Sequence, residues 1–430
     1  MLYVIVLLLS VSISHTWTPY HNQELEKNRL ISIDYDLIDS RVQNDDNFRE
    51  NRQLTHEVIG YLPYWQYETY PFLDYSLLTQ INYFSAELNG YGDIINDHNW
   101  NNIAFIDYAQ ERGVKVKLCA TLFVSSELTT LLSSNVNRAN AINNLLDKVI
   151  LRGADGIDID FELVPSSQRE NLVIFIEELS EAFHQALDSP IITMATPAVD
   201  WSNAWDYNQL AQITDGLFIM GYNYFYAGSQ TAGPVSPLGG YFYDLEYSVE
   251  DYINKTNYQL DKLILGLPYY GYDWPVTSAL EGANTTGNGE AKTYTQANNM
   301  ANIYGSSYNE TSNAPWISYN DSNWQQCWYD DSLSISMKYE YAKSSNLAGV
   351  GIWALGYDSN SAQMWGSIED QFSFFLQGDL NGDNIVNVVD IVQLVNTILA
   401  NEYSSSMDLN NDSTVNVLDI LILVNIILDN

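Results

Sequence analysis

Short apolar runs recur along the middle of the chain and are separated mostly by longer amphipathic stretches. Eight runs predict β-strands, at 58–62, 80–86, 115–122, 156–162, 191–196, 216–221, 263–267 and 349–355. Amphipathic stretches such as 137–152 and 168–187 predict helices between them. Strands that alternate with helices and are apolar on both faces are typical of a buried parallel sheet. The pattern predicts an α/β fold, a (β/α)8 barrel with its chemistry at the carboxyl ends of the strands.

The fourth predicted strand alternates between acidic and apolar residues. Successive side chains of a strand point to opposite faces, so Asp158, Asp160 and Glu162 share one face. Carboxylates this close cannot all ionise, and the pKa of at least one of them is raised. A carboxylic acid that stays protonated near neutral pH can serve as a general acid. The strand therefore predicts a catalytic site rather than a solvated acidic edge.

The run 155–162, Asp-Gly-Ile-Asp-Ile-Asp-Phe-Glu, resembles the signature Asp-Gly-x-Asp-x-Asp-x-Glu of glycoside hydrolase family 18, the chitinases and their relatives. The resemblance implies that Glu162 is the general acid/base that protonates the glycosidic oxygen. It also implies that Asp160 orients the N-acetyl group of the substrate and that Asp158 shares a proton with Asp160. Asp155 lies off the inward face by parity, and we expect it to have a structural role at the strand entrance.

Other predicted strand ends resemble motifs of the same family. The run 220–223, Met-Gly-Tyr-Asn, is similar to a Met-x-Tyr-Asp motif, with Asn223 in place of the Asp. The resemblance implies that Tyr222 donates a hydrogen bond to the acetamido group and that Trp353 forms the floor beneath the distorted sugar. The residues assigned to substrate binding are Trp353, Asn223, Tyr61, Met220 and Tyr270.

The region 273–348, between the seventh and eighth predicted strands, is rich in Tyr, Trp, Asn and Ser. It resembles the small α+β insertion that deepens the substrate groove in many family members. Trp316, Trp324 and Trp328 are candidates for stacking on sugar rings, although some of them are expected to form the core of the insertion.

An acidic loop at 379–390 recurs at 408–419, an offset of 408 − 379 = 29 residues. Oxygen ligands at loop positions 1, 3, 5, 9 and 12, with a backbone carbonyl at position 7, form a cage suited to Ca²⁺. Position 12 is Asp rather than the Glu of an EF-hand, and each loop leads into an apolar helix without an entering helix. The candidate ligands are Asp379, Asn381, Asp383, Ile385, Asn387 and Asp390 in the first loop, and Asp408, Asn410, Asp412, Thr414, Asn416 and Asp419 in the second.

The duplicated loop and helix resemble a type I dockerin module, a small all-α calcium-binding unit. The resemblance implies two Ca²⁺ sites and a cohesin on a scaffold or cell surface as partner. Loop positions 10 and 11 are Val388-Val389 and Val417-Leu418, where Ser or Thr often contacts the cohesin. The choice of partner, and a role for the module as a cap on the barrel, therefore stay open.

The chain has 54 Asp and Glu against 17 Lys and Arg, a formal charge of −37. Such a charge opposes binding to nucleic acid or an anionic membrane and suits a neutral polymer as substrate.

The apolar run 2–9 resembles a signal peptide, without a basic start, and is too short to span a bilayer. Cys119 and Cys327 could form one disulfide or remain two buried thiols. We divide the chain into a signal peptide at 1–15, a loosely ordered polar segment at 16–54, the catalytic domain at 55–375 and the dockerin module at 377–430.

The sequence thus predicts a secreted chitinase, free in the medium or held at the cell surface through a cohesin. It is expected to hydrolyse β-1,4 N-acetylglucosamine linkages by substrate-assisted, retaining chemistry, with no cofactor at the active site. One alternative is an endo-β-N-acetylglucosaminidase acting on glycans or peptidoglycan. The third predicted strand departs from the family resemblance, with Cys-Ala-Thr-Leu at 119–122 where Ser-x-Gly-Gly is common, and this is nearer the branch that includes peptidoglycan-directed relatives. Many of those relatives carry Asn where this chain has Asp158, so Asp158 argues against that branch. The other alternative is a non-catalytic chitin-binding lectin.

Overall fold

The computed structural model describes residues 19–42, 53–374, 377–381, 385–400, 403–404, 407–410, 412 and 414–429. The predicted signal peptide at 1–15 and the candidate ligand Asp383 lie outside the described residues. Across the described ranges, no helix combines the length and the apolar character needed to cross a lipid bilayer.

Fourteen strands occur in the described residues, eight of them in a barrel and most of the others in its insertion. In chain order they are β1 Glu57–Pro63, β2 Gln80–Leu88, β3 Ile94–Asn96, β4 Lys115–Leu122, β5 Gly156–Phe161, β6 Ile191–Pro197, β7 Gly216–Met220, β8 Leu263–Pro268, β9 Tyr270–Pro275, β10 Glu290–Thr293, β11 Ser307–Asn309, β12 Ala314–Asp321, β13 Asn323–Trp328 and β14 Gly349–Trp353.

The α-helices of the same ranges surround the barrel, extend its insertion or follow it in the chain. They are α1 Tyr20–Asn28, α2 Tyr35–Arg41, α3 Phe105–Gln110, α4 Ser125–Leu132, α5 Asn135–Arg152, α6 Arg169–Ala186, α7 Tyr207–Ile213, α8 Leu245–Lys255, α9 Tyr294–Tyr304, α10 Ser332–Ser344, α11 Ala362–Phe372, α12 Val388–Ala400 and α13 Val417–Asp429.

Eight parallel strands close into a barrel in the order β1, β14, β8, β7, β6, β5, β4 and β2, with β2 pairing back onto β1. All eight predicted strands are confirmed, and the (β/α)8 fold with them. Leu, Ile, Val and aromatic side chains on both faces of these strands are buried, as expected for a sheet covered by helices. The short strand β3 adds an antiparallel edge to β2 outside the ring.

Two glycines position the acidic strand β5. Helix α5 ends at Gly153, whose φ of 61° is the left-handed conformation that terminates many helices. Gly156 begins β5 so close to β6 that an added Cβ would lie 1.9 Å from the carbonyl oxygen of Ile191. Asp155, between them, accepts hydrogen bonds from the Val116 amide and from Lys115. These contacts agree with the structural role expected for Asp155 at the strand entrance.

The insertion between β8 and β14 is an antiparallel sheet in the order β10, β9, β13, β12 and β11, packed with α9. It is the α+β unit that the sequence predicted. Trp316 and Trp328 stack on each other with centroids 5.5 Å apart and are buried, so these two belong to the core of the insertion, as expected for some of the three candidates. Trp324 is 37% exposed and remains a candidate.

The described part of the segment before the barrel, residues 19–42, differs from its expected loose order. Residues 19–42 contain α1 and α2, and the side chains of Tyr20, His21 and Glu24 on α1 are buried against the barrel. The expectation was wrong because polar composition reports poorly on a helix whose burial depends on contacts with distant strands. The two cysteines are both buried free thiols and form no disulfide.

Candidate active site

Strand β5 delivers three acids to the carboxyl end of the barrel. Asp158 and Asp160 lie on its inward face, and Glu162 follows directly after its last residue, Phe161. Asp158 and Asp160 are fully buried, and Glu162 is 6% exposed. The structure therefore brings the three predicted carboxylates together, one above the other, at the end of the barrel where such sites are found.

Asp158, the deepest acid, is held by hydroxyl groups. Tyr61 Oη donates to one carboxylate oxygen at 2.7 Å, and Thr193 Oγ1 donates to the other at 2.6 Å. Below them, the buried Lys117 ammonium donates to Thr193 Oγ1 at 2.6 Å. Burial lowers the pKa of Lys117 to about 8, although the nearby Asp158 opposes this change. Tyr61 was assigned to sugar binding, but the structure places it under the site as a partner of Asp158.

Asp160 and Glu162 lie nearer the carboxyl end of β5 than Asp158, and the pKa of each is raised. Burial raises the pKa of the Asp160 carboxyl, with Asp158 adding to the rise and His21 opposing it. Burial also raises the pKa of Glu162 well above its ordinary value, and the neighbouring Asp160 charge raises it further. One oxygen of each, Asp160 Oδ1 and Glu162 Oε1, is buried without a hydrogen-bond partner. Buried carboxyl oxygens without a hydrogen-bond partner are uncommon, and they are expected in a site that binds a polar ligand.

The predicted residues from β7 and β9 lie opposite the acids. Tyr222 is buried, and Tyr270 Oη donates to Asn223 Oδ1 at 2.7 Å. Asn223 has a φ of 62°, a left-handed conformation that Asn tolerates better than most residues. Met220 lines the same cavity as Glu162 and Tyr222. The structure thus brings together four of the residues assigned to the site, Met220, Tyr222, Asn223 and Tyr270, and their roles toward a sugar stay predictions.

Trp353, at the end of β14, is fully buried because another ring covers it. The imidazole of His21 stacks on its indole with centroids 3.6 Å apart and an interplanar angle of 22°. His21 Nδ1 lies 2.6 Å from Asp160 Oδ2, and His21 Nε2 lies 2.8 Å from Tyr222 Oη. Next to it, Tyr20 stacks on Tyr270 at 3.9 Å. The proposed sugar-binding floor is therefore occupied by the protein's own helix α1.

Beyond His21 the site remains open. A cavity of about 480 Å³ extends from the acids along residues that follow β6 and β7. Trp201, 73% exposed and in edge contact with Tyr243, forms part of its wall. Sequence reasoning missed both residues. Trp201 lies shortly after a predicted strand end, a position that could have suggested it.

The two C-terminal loops have matching geometry. Asp390 is buried and accepts from the amides of Leu380, Asn381 and Asn387. Asp419 is also buried and accepts from the equivalent amides, those of Leu409, Asn410 and Asn416.

Residues 377–430 contain no Lys, Arg or His to balance these acids. Oxygen-rich loops around a buried, uncompensated carboxylate fit Ca²⁺, a hard cation that prefers oxygen ligands. In each loop the buried Asp390 or Asp419 is enclosed by amides of its own loop, and the roles of the predicted ligands toward Ca²⁺ stay predictions.

The protein is thus a closed parallel (β/α)8 barrel with a candidate site built from three carboxyl groups at the end of β5. The model of the family Glycosyl hydrolases family 18 matches residues 57–358, and that of the Dockerin type I domain matches residues 377–428. The chain therefore belongs to glycoside hydrolase family 18 and carries a type I dockerin domain. Dockerin domains of this type generally bind calcium.

Three relatives show the range of proteins that the chain resembles. YdhD of Bacillus subtilis (strain 168), described as a sporulation-specific glycosylase, is 28% identical over 294 residues, 64% of this chain. The cortical fragment-lytic enzyme of the same organism is 29% identical over 252 residues, 56% of this chain. The di-N-acetylchitobiase of Mus musculus is 27% identical over 306 residues, 61% of this chain and 78% of that protein. The chain spans 66% of the length of the first relative and 56% of the second.

Proposed function

We propose that this chain is a secreted hydrolase of β-1,4 N-acetylglucosamine linkages, a chitinase that works by substrate-assisted, retaining catalysis with Glu162 as acid/base. The observation that carries the proposal is Glu162 itself. It is a buried carboxyl group with a raised pKa that lines an open cavity, and one of its oxygens has no hydrogen-bond partner. A protonated carboxyl group in this position can donate its proton to a leaving oxygen.

The neighbouring groups suit the other half of the reaction. In substrate-assisted hydrolysis, the acetamido oxygen of the sugar attacks the anomeric carbon, so the protein supplies no second carboxylate as nucleophile. We assign Asp160 and Tyr222 to hold that acetamido group, because a carboxylate and a phenol can bind its N–H and its oxygen, respectively. Both lie within hydrogen-bond distance of His21 and therefore point into the same space above Trp353. Asp158, fixed by Tyr61 and Thr193, supports Asp160 from below.

A second candidate is an endo-β-N-acetylglucosaminidase that acts on glycans or peptidoglycan. The names of two relatives, a sporulation-specific glycosylase and a cortical fragment-lytic enzyme, favour a substrate other than chitin. The name of the third, a di-N-acetylchitobiase, favours a chitin-type linkage. The catalytic groups are the same in both cases, so the candidates differ only in the glycan that the cleft accepts.

The first test is product analysis with N-acetylchitohexaose and, in parallel, purified peptidoglycan. Because α1 covers Trp353, the assay uses both the wild-type chain and the His21→Ala variant. We expect shorter N-acetylglucosamine oligomers whose new ends are β-anomers. Glu162→Gln should lower turnover by about 10²-fold or more, since a positioned general acid contributes about 10²–10⁴-fold.

The matched control is Glu177→Gln, the same change at an exposed position on α6. It should leave turnover unchanged. Cleavage of peptidoglycan alone would select the second candidate. Equal turnover by Glu162→Gln and the wild type would contradict the assignment of the acid, and α-anomeric products would contradict the retaining mechanism.

We further propose that the module at 377–430 holds two Ca²⁺ ions, one in each loop, and docks on a cohesin outside the cell. The support is the repeated set of oxygen ligands and the family match. Secretion is proposed from the apolar run 2–9 and from the extracellular assemblies that dockerin domains serve.

A further inference from the structure

Helix α1 enters the mouth of the barrel with its first two side chains. Tyr20 and His21 are only 3% and 1% exposed, although neither belongs to a barrel strand. Their rings are nearly parallel to those of Tyr270 and Trp353, respectively, with centroids 3.9 and 3.6 Å apart. Two stacked aromatic pairs of this kind add to the free energy of burial beyond the buried area itself.

His21 makes the contacts that the proposed function gives to the sugar. Its flat ring covers the indole that would support a pyranose, and its two nitrogens lie within hydrogen-bond distance of Asp160 and Tyr222. A sugar ring and the imidazole cannot occupy this space together. The part of the cavity beyond Glu162, next to Trp201, is not covered in this way.

The rest of α1 is fastened to the rim of the barrel. Tyr357 Oη donates to Glu24 Oε2 at 2.8 Å, and Tyr64 Oη donates to the carbonyl oxygen of Asn28 at 2.9 Å. Arg29, directly after the helix, pairs with Glu87 on β2 at 3.2 Å. These contacts hold α1 in one orientation, so His21 is placed in the site rather than merely near it.

The chain becomes accessible as soon as α1 ends. Leu30 is 95% exposed and Ile31 is 46% exposed, in a stretch without helix or strand before α2 begins. Exposed irregular backbone of this kind is where proteolytic nicking concentrates. A cut in this stretch would separate α1 from the chain that forms the barrel. The helix would then lose the high effective concentration that its covalent link provides, and so short a helix is marginal by itself in water.

We propose that α1 is an intramolecular competitive inhibitor of the active site, released when an endoprotease cuts the exposed stretch 29–33. The inference rests on the proposed function, because it treats the space above Trp353 as the place where the sugar binds. It adds that the intact chain is a latent form of the enzyme. A protease that accepts Leu30 or Ile31 is the partner that activates it.

Steady-state kinetics with N-acetylchitohexaose test this on the full chain. A site that is open for only a fraction of the time has an apparent affinity reduced by that fraction. His21→Ala should therefore lower KM by at least about tenfold, since closed states commonly leave 10% or less of the molecules open. The kcat should not change. His184→Ala, the same substitution on the exposed face of α6, is the control and should behave as the wild type.

Nicking provides the second measurement and does not depend on the substitution. Brief digestion with thermolysin, with the cut in 29–33 confirmed by mass spectrometry, should lower the KM of the wild type to that of His21→Ala. Thermal unfolding of each sample checks that the barrel remains folded. An unchanged KM after nicking and in the variant would overturn the proposal.

A fall in kcat for His21→Ala would overturn it in another way, since His21 would then assist the reaction. The ligand atoms of His21, Asp160 and Glu162 lie within 4.8 Å of one another, so the assay is repeated with added Zn²⁺ and with a chelator. If the wild type needed Zn²⁺ for activity and His21→Ala did not, His21 would be a metal ligand and not an inhibitor.

Calorimetric binding of the same hexamer separates this inference from the proposed function. The comparison is between Glu162→Gln and the double variant Glu162→Gln/His21→Ala. Tighter binding by the double variant, with no turnover in any chain that keeps Glu162, would retain the inhibitor and refute the hydrolase. Turnover by the wild type, with equally tight binding of the hexamer by both variants, would support the hydrolase and refute the inhibitor.

Discussion

At the scale of single residues, the site depends on acids that differ in their surroundings although they share one strand face. Asp158 has both oxygens satisfied by Tyr61 and Thr193. Glu162 has an unsatisfied oxygen, and its pKa is raised by burial and by Asp160. Of these two acids, Glu162 is thus the one whose surroundings fit the proposed general acid. The period of two in the sequence predicted that these acids meet, but not which hydroxyl groups would hold them.

The raised pKa of Glu162 makes a prediction about stability against pH. Above its ordinary value of 4.5, an unfolded glutamate loses its proton, whereas the folded chain keeps it. The folded state then binds more protons, so the free energy of unfolding falls as pH rises until the raised pKa is passed. Glutamine has no proton to lose. The wild type should therefore lose stability relative to Glu162→Gln with rising pH, by up to about 1.4 kcal/mol per pH unit.

Urea unfolding at several pH values between 5 and 8 measures this difference. Glu177→Gln, exposed on α6, serves as the control and should follow the wild type throughout. If the free energy of unfolding changed with pH in the same way for the wild type and Glu162→Gln, Glu162 would be ionised in the folded chain. That result would contradict the expectation for a general acid.

At the scale of elements, the barrel strands were predictable and α1 was not. Each barrel strand is predicted by its local sequence alone, because a short apolar run is expected to be buried whichever elements pack against it. Helix α1 has no comparable signal, because the burial of Tyr20 and His21 depends on rings contributed by β9 and β14, distant in the sequence. Lys117 was missed for a similar reason, since its partner Thr193 lies on another strand.

The insertion gives a prediction that belongs to its sheet. Trp328 on β13 is buried against Trp316 on β12, whereas Trp324, also on β13, is 37% exposed. Trp328→Ala should lower the free energy of unfolding by about 3–5 kcal/mol, as expected when a large buried aromatic is removed. Trp324→Ala, the matched change on the same strand, should cost less than about 1 kcal/mol.

Chemical denaturation of both variants measures these costs. Equal losses would mean that Trp324 also belongs to the core of the insertion, and that it is no longer a candidate for sugar contact. A loss confined to Trp328→Ala would leave Trp324 available for that test.

At the scale of the whole molecule, two units differ in what stabilises them. The barrel has one continuous apolar core, whereas the described part of the dockerin domain has a small cluster around Leu394, Met407 and Leu423. So small a core supplies little stability, and small domains of this size commonly rely on a metal or another additional constraint. The dockerin domain was recognisable from sequence because the spacing of its candidate ligands occurs twice, and the family match agrees with that recognition.

Calorimetry should show this division. With Ca²⁺ at 100 times its dissociation constant, each of the two proposed sites should add about 2.7 kcal/mol to the stability of the folded module. Addition of EDTA should lower or remove the transition of the module and leave that of the barrel in place. Asp390→Ala should reproduce part of this effect, and Asp188→Ala, an exposed change before β6, should not. A single transition that does not respond to EDTA would contradict an independent calcium-stabilised module.

The absence of any basic residue from 377–430 also bears on where this protein matures. Calcium sites of extracellular modules have dissociation constants of about 10⁻⁴–10⁻³ M and fill only where the ion is abundant. In a calcium-poor compartment, the acids of the two loops repel one another and the tail is expected to stay unfolded. If the proposed secretion and cohesin binding hold, the calcium of the outside medium acts as the folding signal, and the module becomes able to bind its partner only after the chain has left the cell.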